Sequence, residues 1–174
     1  MIVRRLRLTI ATALCGMACA LAVGLVPTVA GAAQFGSSGE GSGQFHDSHG
    51  VAIDQATTDV YVANRYNLRV DKFDGSGSFL EGWGWGTNEA DPAEELQTCT
   101  TVCQKGSPGA GAGQYGGEGP QGLAVENELA SLSYGDVYVV DWENFRVEKF
   151  TSSGKFLLMF GDDVNETTSG NICA

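Results

Sequence analysis

Basic side chains are scarce in this chain: ten Lys and Arg stand against 21 Asp and Glu, for a net charge of −11. Proteins hold a phosphate backbone by displacing its counterions with Lys and Arg, so this balance argues against nucleic acid as a partner. It suits a solvated acidic surface that keeps the protein in solution. Histidine is scarcer still, with only His46 and His49. A catalytic zinc normally takes three protein ligands, so two histidines in one loop fall short, and no cofactor is expected. Activated nucleophiles have no visible carrier: there is no Gly-x-Ser-x-Gly elbow, no phosphate loop and no paired cysteine motif with a base. Past the first thirty-odd residues, no helical periodicity rises above background.

A long apolar run occurs at the front. Arg4, Arg5 and Arg7 precede Leu8 to Val29, and the run ends in Ala30-Gly31-Ala32. A basic start, an apolar middle and a small-residue exit are the parts of a secretory signal peptide, here residues 1–32, and predict a secreted or extracytoplasmic protein. The run approaches the roughly 20 residues that span a bilayer, so a membrane anchor is the competing reading. Membrane contact is expected only through this leader. Export implies an oxidising environment, in which Cys99 and Cys103 are expected to close a small disulfide loop. A metal site there would need more Cys or His ligands nearby. Cys173 is left as an odd cysteine.

What the chain does contain is a duplication. Asp59–Asn64, Asn67–Phe73 and Gly77–Leu80 recur as Asp136–Asp141, Asn144–Phe150 and Gly154–Leu157, every pair at one common spacing. Such a repeat defines a structural unit. Each copy reads as four strands: Gly50–Asp54, Asp59–Ala63, Arg69–Phe73 and Ser78–Trp83, then Gly122–Glu126, Asp136–Val140, Arg146–Phe150 and Lys155–Phe160. These β-branched and aromatic runs are separated by turns such as Asp74–Gly77 and Thr151–Gly154. In Val60–Ala63 both faces are apolar, so the second strand must be an inner one. The third strand alternates in charge and is expected nearer a rim. Trp83 and Trp85 share a strand face and are expected to pack between repeats. The fold class is therefore all-β, with two four-stranded antiparallel sheets stacked as blades.

Gly43-Gln44-Phe45, Gly50–Asp54, Val60–Asn64, Asn67–Val70 and Lys72-Phe73 resemble an NHL repeat, whose run is G-x-F, P-x-G-V-A-V-D, V-Y-V-A-D, N-x-R-V and K-F. The second copy, Gly113 to Gly161, resembles it more fully because it has Pro120 and Asp141 where the first has Ser48 and Asn64. The resemblance implies β-propeller blades, and two of them an incomplete propeller. It also implies a structural contact among Asp141, Asn144 and Arg146 that ties adjacent strands together. Asn64, Asn67 and Arg69 are its counterpart in the first copy, where a neutral Asn64 predicts a weaker bond and a looser repeat.

The chain divides accordingly into a leader (1–32), a flexible linker (33–42), NHL repeat 1 (43–86), a Gly-rich and acidic insertion (87–112), NHL repeat 2 (113–161) and the start of a further insertion (162–174). The Gly, Ala, Ser and Pro of residues 106–113 predict a tract unable to order itself. Propellers take four to eight blades, so two leave open edges. A truncated product, self-assembly that completes a ring, and a marginal partial propeller all remain open. The expected function is a non-catalytic scaffold for a protein or glycan ligand, with the entry loops bearing His46, His49, Glu118 and Gln121 as interaction loops. The rival is a propeller-type lyase or lactonase, which would need His, Asp or Glu at matching entry loops of most blades. Here His49 is matched by Gln121.

Overall fold

The computed structural model describes residues 34–165, 167–168 and 170–174. The leader assigned to residues 1–32 lies outside the described residues. β1 (Ser37–Ser38) and β2 (Gln44–Phe45) form a short parallel pair. β3 (Ser48–Ile53), β4 (Val60–Asn64), β5 (Arg69–Phe73), β6 (Phe79–Trp85) and β7 (Leu96–Cys99) follow as an antiparallel meander. A second meander of the same order is built from β8 (Pro120–Val125), β9 (Val137–Asp141), β10 (Arg146–Phe150), β11 (Phe156–Asn165) and β12 (Gly170–Cys173). The fold is all-β, and among the described residues the two sheets do not close into a ring. Pairing register repeats between them: Val62 faces Asp71 as Val139 faces Glu148, and Val70 faces Trp83 as Val147 faces Phe160.

Each sheet has five strands where four were expected. β7 comes out of residues 87–112 and β12 out of residues 162–174, both read from sequence as insertion. Leu96-Gln97-Thr98-Cys99 is too short for a period to show, and its pairing with β6 makes it a strand. Gln97 is buried there because its amide is satisfied. It donates to the Asp91 and Ala93 carbonyls at 3.0 and 2.8 Å and accepts from the Asn88 N–H at 2.9 Å. Cys99 stands opposite Gly82 and Cys173 opposite Met159, so the two cysteines occupy equivalent positions. Cys99 is bonded to Cys103, as expected, and Cys173 is free.

β4 is an inner strand, as its two apolar faces require. β5 is not near a rim. Arg69, Val70, Asp71 and Phe73 are all buried, because the charges of Arg69 and Asp71 face one another at 2.7 Å and need no water. The core runs between the sheets through Tyr61, Val70, Trp83, Tyr115, Val137 and Phe150. Trp83 is its largest side chain, with ring centroids 6.0 Å from Tyr61 in its own sheet and 6.1 Å from Phe150 in the other. Gly154 has φ +77° and lies so close under the indole that an added Cβ would come within 2.6 Å of Trp83 Cγ. Trp85 is only half-buried. Trp83 thus joins the two repeats, and Trp83→Ala should lower stability by about 3–5 kcal/mol in urea unfolding. Trp85→Ala should cost clearly less. Equal losses in the two variants would contradict this assignment.

Candidate functional site

Each sheet holds an arginine whose surroundings organise the loop that enters it. In the first, Arg69 Nε donates to Asp71 Oδ1 at 2.7 Å. Its Nη1 donates to the carbonyls of Glu40 and Gln104 at 2.5 and 3.0 Å, and its Nη2 to those of Gly41 and Gln44 at 2.6 and 3.2 Å. In the second, Arg146 Nε donates to Asp141 Oδ2 at 3.1 Å. Its Nη1 and Nη2 reach the carbonyls of Ala110, Gly111 and Gln114 at 2.6, 2.8 and 2.8 Å. Asn67 donates to the Gly39 carbonyl at 2.9 Å, and Asn144 to that of Gly109 at 2.7 Å.

The two glycine-rich tracts therefore share one form. Gly39 N–H donates to the Phe45 carbonyl at 3.1 Å as Gly109 N–H does to that of Tyr115 at 2.9 Å. Gly41 and Gly111 donate to the side-chain carbonyls of Gln44 and Gln114 at 2.9 and 3.1 Å. These two loops fall within residues 33–42, expected to be a flexible linker, and around residues 106–113, expected to lack order, and in the structure each is tied by these hydrogen bonds. Their carbonyls converge on a buried cation, a contact that apolar composition does not register.

The two repeats meet the charge of their arginines differently. Asn64 is neutral, yet Arg69 has its charge partner in Asp71, and Asn64 Nδ2 donates to Asp71 Oδ2 at 2.5 Å. The carboxylate has moved from the end of the second strand to the middle of the third. Asp141 and Glu148 occupy the corresponding two positions in the second repeat, so there two acids share one arginine. Asp141 accepts from Arg146, from Asn144 at 2.7 Å and from the Gly116 N–H at 3.1 Å. Glu148 Oε1 lies 2.5 Å from Arg146 Nη2, and both of its oxygens are buried. Burial pushes its carboxyl up to about 8 against the pull of Arg146, and Asp141 adds to the rise. Burial, with the charges of Glu148 and Asp141, also holds the Tyr115 phenol well above its usual range.

The entry loops meet at a residue that sequence reading did not single out. Arg65 forms ion pairs with Glu118 and, at 2.9 Å, with Asp47, and its Nε donates to the Glu118 carbonyl at 3.1 Å. His49 Nε2 lies 3.4 Å from Arg65 Nη1 and 3.5 Å from Asp47 Oδ2. Gln121 donates to the Glu118 carbonyl at 3.0 Å. His46 stands apart, its ring edge-on to Tyr66 at 5.3 Å. Thus His49, Glu118 and Gln121 gather around the joint between the repeats. No group of three or more His, Cys, Asp or Glu among the described residues is placed to hold a metal ion.

A second surface lies on the second repeat. Val140, Trp142, Phe145, Val147 and Phe160 line an open, largely apolar hollow of about 350 Å³. Their positions in the first repeat hold Ala63, Arg65, Leu68, Val70 and Trp83, and all but the intermediate Arg65 are buried. Leu68 and Phe145 both take left-handed backbone, at φ 51° and 53°, after the Asn67 and Asn144 turns. That conformation is costly for bulky residues and persists only where the surroundings impose it. Leu68 is 3% exposed and Phe145 is 79% exposed. The hollow escaped sequence reading because its members look like ordinary core residues, and only the missing cover distinguishes them. The chain matches no protein-family model and no curated protein.

The shared arginine in the second repeat has a pH signature. Glu148 keeps in the folded protein a proton that the unfolded chain has lost, so stability falls as pH rises from the unfolded value of 4.5 towards about 8 and levels off above it. Glu148→Gln should flatten this slope and be more stable than the parent at its alkaline end. Asp71, also raised by burial, should leave a residual slope. Urea midpoints collected across the window test this. A variant with the parent's slope would contradict it.

Proposed function

We propose that the chain is an exported, non-catalytic NHL-type propeller fragment that acts as an interaction scaffold, and that its contact surface is the hollow on the second repeat. The observation that supports this reading is the exposure of Val140, Phe145 and Phe160 at positions whose counterparts Ala63, Leu68 and Trp83 are buried. A water-facing cluster of this kind marks an interaction site. A protein partner is favoured over a glycan because the hollow is mainly apolar and offers few polar groups to sugar hydroxyls. The joint of His49, Arg65, Asp47 and Glu118 ties the entry loops of the two repeats together.

The test uses an apolar dye, 8-anilinonaphthalene-1-sulfonate, with dilute folded protein. Fluorescence should rise on mixing, and Phe145→Asp should remove most of the rise while leaving the far-ultraviolet circular dichroism unchanged. A parent protein that gives no enhancement, or a variant that keeps it, would contradict the assignment of this hollow.

A further inference from the structure

The interface between the two repeats is a template for a second interface of the same kind. Its first-repeat side presents Leu68, Val70 and Trp83, with Gly50 against the backbone of Gln121 and Gly122, and Tyr61 and Lys72 both donating to the Ser152 carbonyl at 3.4 and 3.1 Å. By register, the equivalent groups on the second repeat are Phe145, Val147, Phe160, Gly122, Tyr138 and Lys149. The pair Lys149 and Tyr138 is already preset: its ammonium lies over the ring at 5.3 Å, as Lys72 lies over Tyr61 at 5.4 Å.

The complementary surface is on the far side of the first repeat. Leu123 and Val125 of the second repeat pack into the core, whereas their counterparts Val51 and Ile53 are 64% and 52% exposed. Gly50 stands for Gly122, Phe73 for Phe150, and the Gly75 carbonyl for that of Ser152. Gly77 stands for Gly154, and it too is covered by an aromatic ring. Phe35 lies against it, with an added Cβ coming within 2.7 Å of Phe35 Cδ1, and the Phe35 ring is 4.9 Å from Phe73. Phe35 therefore fills, from its own chain, the slot that Trp83 fills between the repeats.

We propose that a second copy of this chain is the partner of the hollow. The copies join head to tail, with Phe160 of one copy taking the slot beside Gly77 of the next and displacing Phe35. The proposal rests on the scaffold reading above and names its occupant. The contact is heterologous, so each copy still offers one free head and one free tail. If sheets accumulate to the four to eight of a closed propeller, the assembly holds about two to four copies. One position departs from the template. Gly119 closes on the Arg65 carbonyl so tightly that a Cβ there would collide with it, and its counterpart at the head is Asp47, also at positive φ. The joint between copies is thus looser than the joint within one. Copies that are each strongly acidic also repel, so added salt should favour association.

Sedimentation over a range of concentrations tests the proposal. The parent should gain mass with concentration, and more readily in salt. Ile53→Asp at the head and Phe145→Asp at the tail, both at exposed positions, should each stay monomeric with unchanged circular dichroism. Mixing the two variants should restore a dimer and nothing larger, because one intact head and one intact tail remain. Phe35→Ala should tighten association by about tenfold by emptying the slot. A parent that stays monomeric throughout, or a mixture that stays monomeric, would overturn head-to-tail assembly. Unchanged or weaker association of Phe35→Ala would overturn the slot exchange. A monomer whose hollow still takes up the dye would leave the scaffold reading standing and remove the second copy as its partner.

Discussion

A buried guanidinium is the constraint on which each repeat depends. Arg69 and Arg146 emerge from the third strand of a sheet, lose their water and recover their interactions from acidic side chains of the sheet and a ring of loop carbonyls. A buried cation left without partners would cost several kcal/mol, so the loop cannot let go without destabilising the sheet. The glycines follow from this requirement. Several carbonyls can point at one cation only if the backbone turns sharply, and Gly43 and Gly113 supply the positive φ that ends the loop and leads the chain to Phe45 and Tyr115. Tyr115 then enters the core beside Phe150 at 6.4 Å, and Phe45, half-buried, stands beside Phe73 of its own sheet at 5.4 Å. Polar and apolar organisation are thus one arrangement: the cation fixes the loop, the loop delivers an aromatic ring, and in the second repeat that ring, Tyr115, lies in the core between the sheets.

The same constraint accounts for a charge pattern that differs between the repeats while the geometry does not. One arginine needs one full negative charge. The first repeat provides it at Asp71 and keeps Asn64 as a donor and acceptor; the second provides it at Asp141 and keeps Glu148 protonated over much of the neutral range. Both clusters are then close to neutral. Neutrality also explains why β5 can be buried although three of its five residues, Arg69, Asp71 and Lys72, are charged: Lys72 is half-buried and pairs with Asp59 and Glu81 at 3.2 and 3.6 Å.

Much of the strand framework was legible in the sequence, because Asp59–Phe73 and Asp136–Phe150 repeat at one spacing and alternate as strands do. The Cys99–Cys103 bond and the packing of Trp83 were legible as well, the first from cysteine economy and the second from position. The loops were not. Gly39–Phe45 and Gly109–Tyr115 repeat at a shorter spacing than the strands, since the second repeat has longer connections before β8 and between β8 and β9. A search at the strand spacing passes over them, and their composition reads as disorder. Asp71 and Glu148 were hidden for another reason: in a strand of alternating charge they look solvent-facing, and only the arginine two residues earlier makes them interior. The hollow at Phe145 is a property of what does not cover it, which no local pattern expresses.

The open ends of the molecule follow from the joint that holds it together. One repeat's apolar face is satisfied by the next, through Trp83, Leu68 and the Arg65 ion pairs, and the same logic leaves Phe145 and Phe160 uncovered at one end and Val51 and Ile53 at the other. All of this presupposes loops held by arginine. Amide hydrogen exchange at Gly39 and Gly109 addresses that premise most directly, because each N–H is closed onto a carbonyl of the following ring residue only while the loop is clamped. The account predicts that both amides are protected to a degree comparable with those of β4 and β9. Exchange at the rate of an unstructured glycine-rich segment, in either loop, would contradict it.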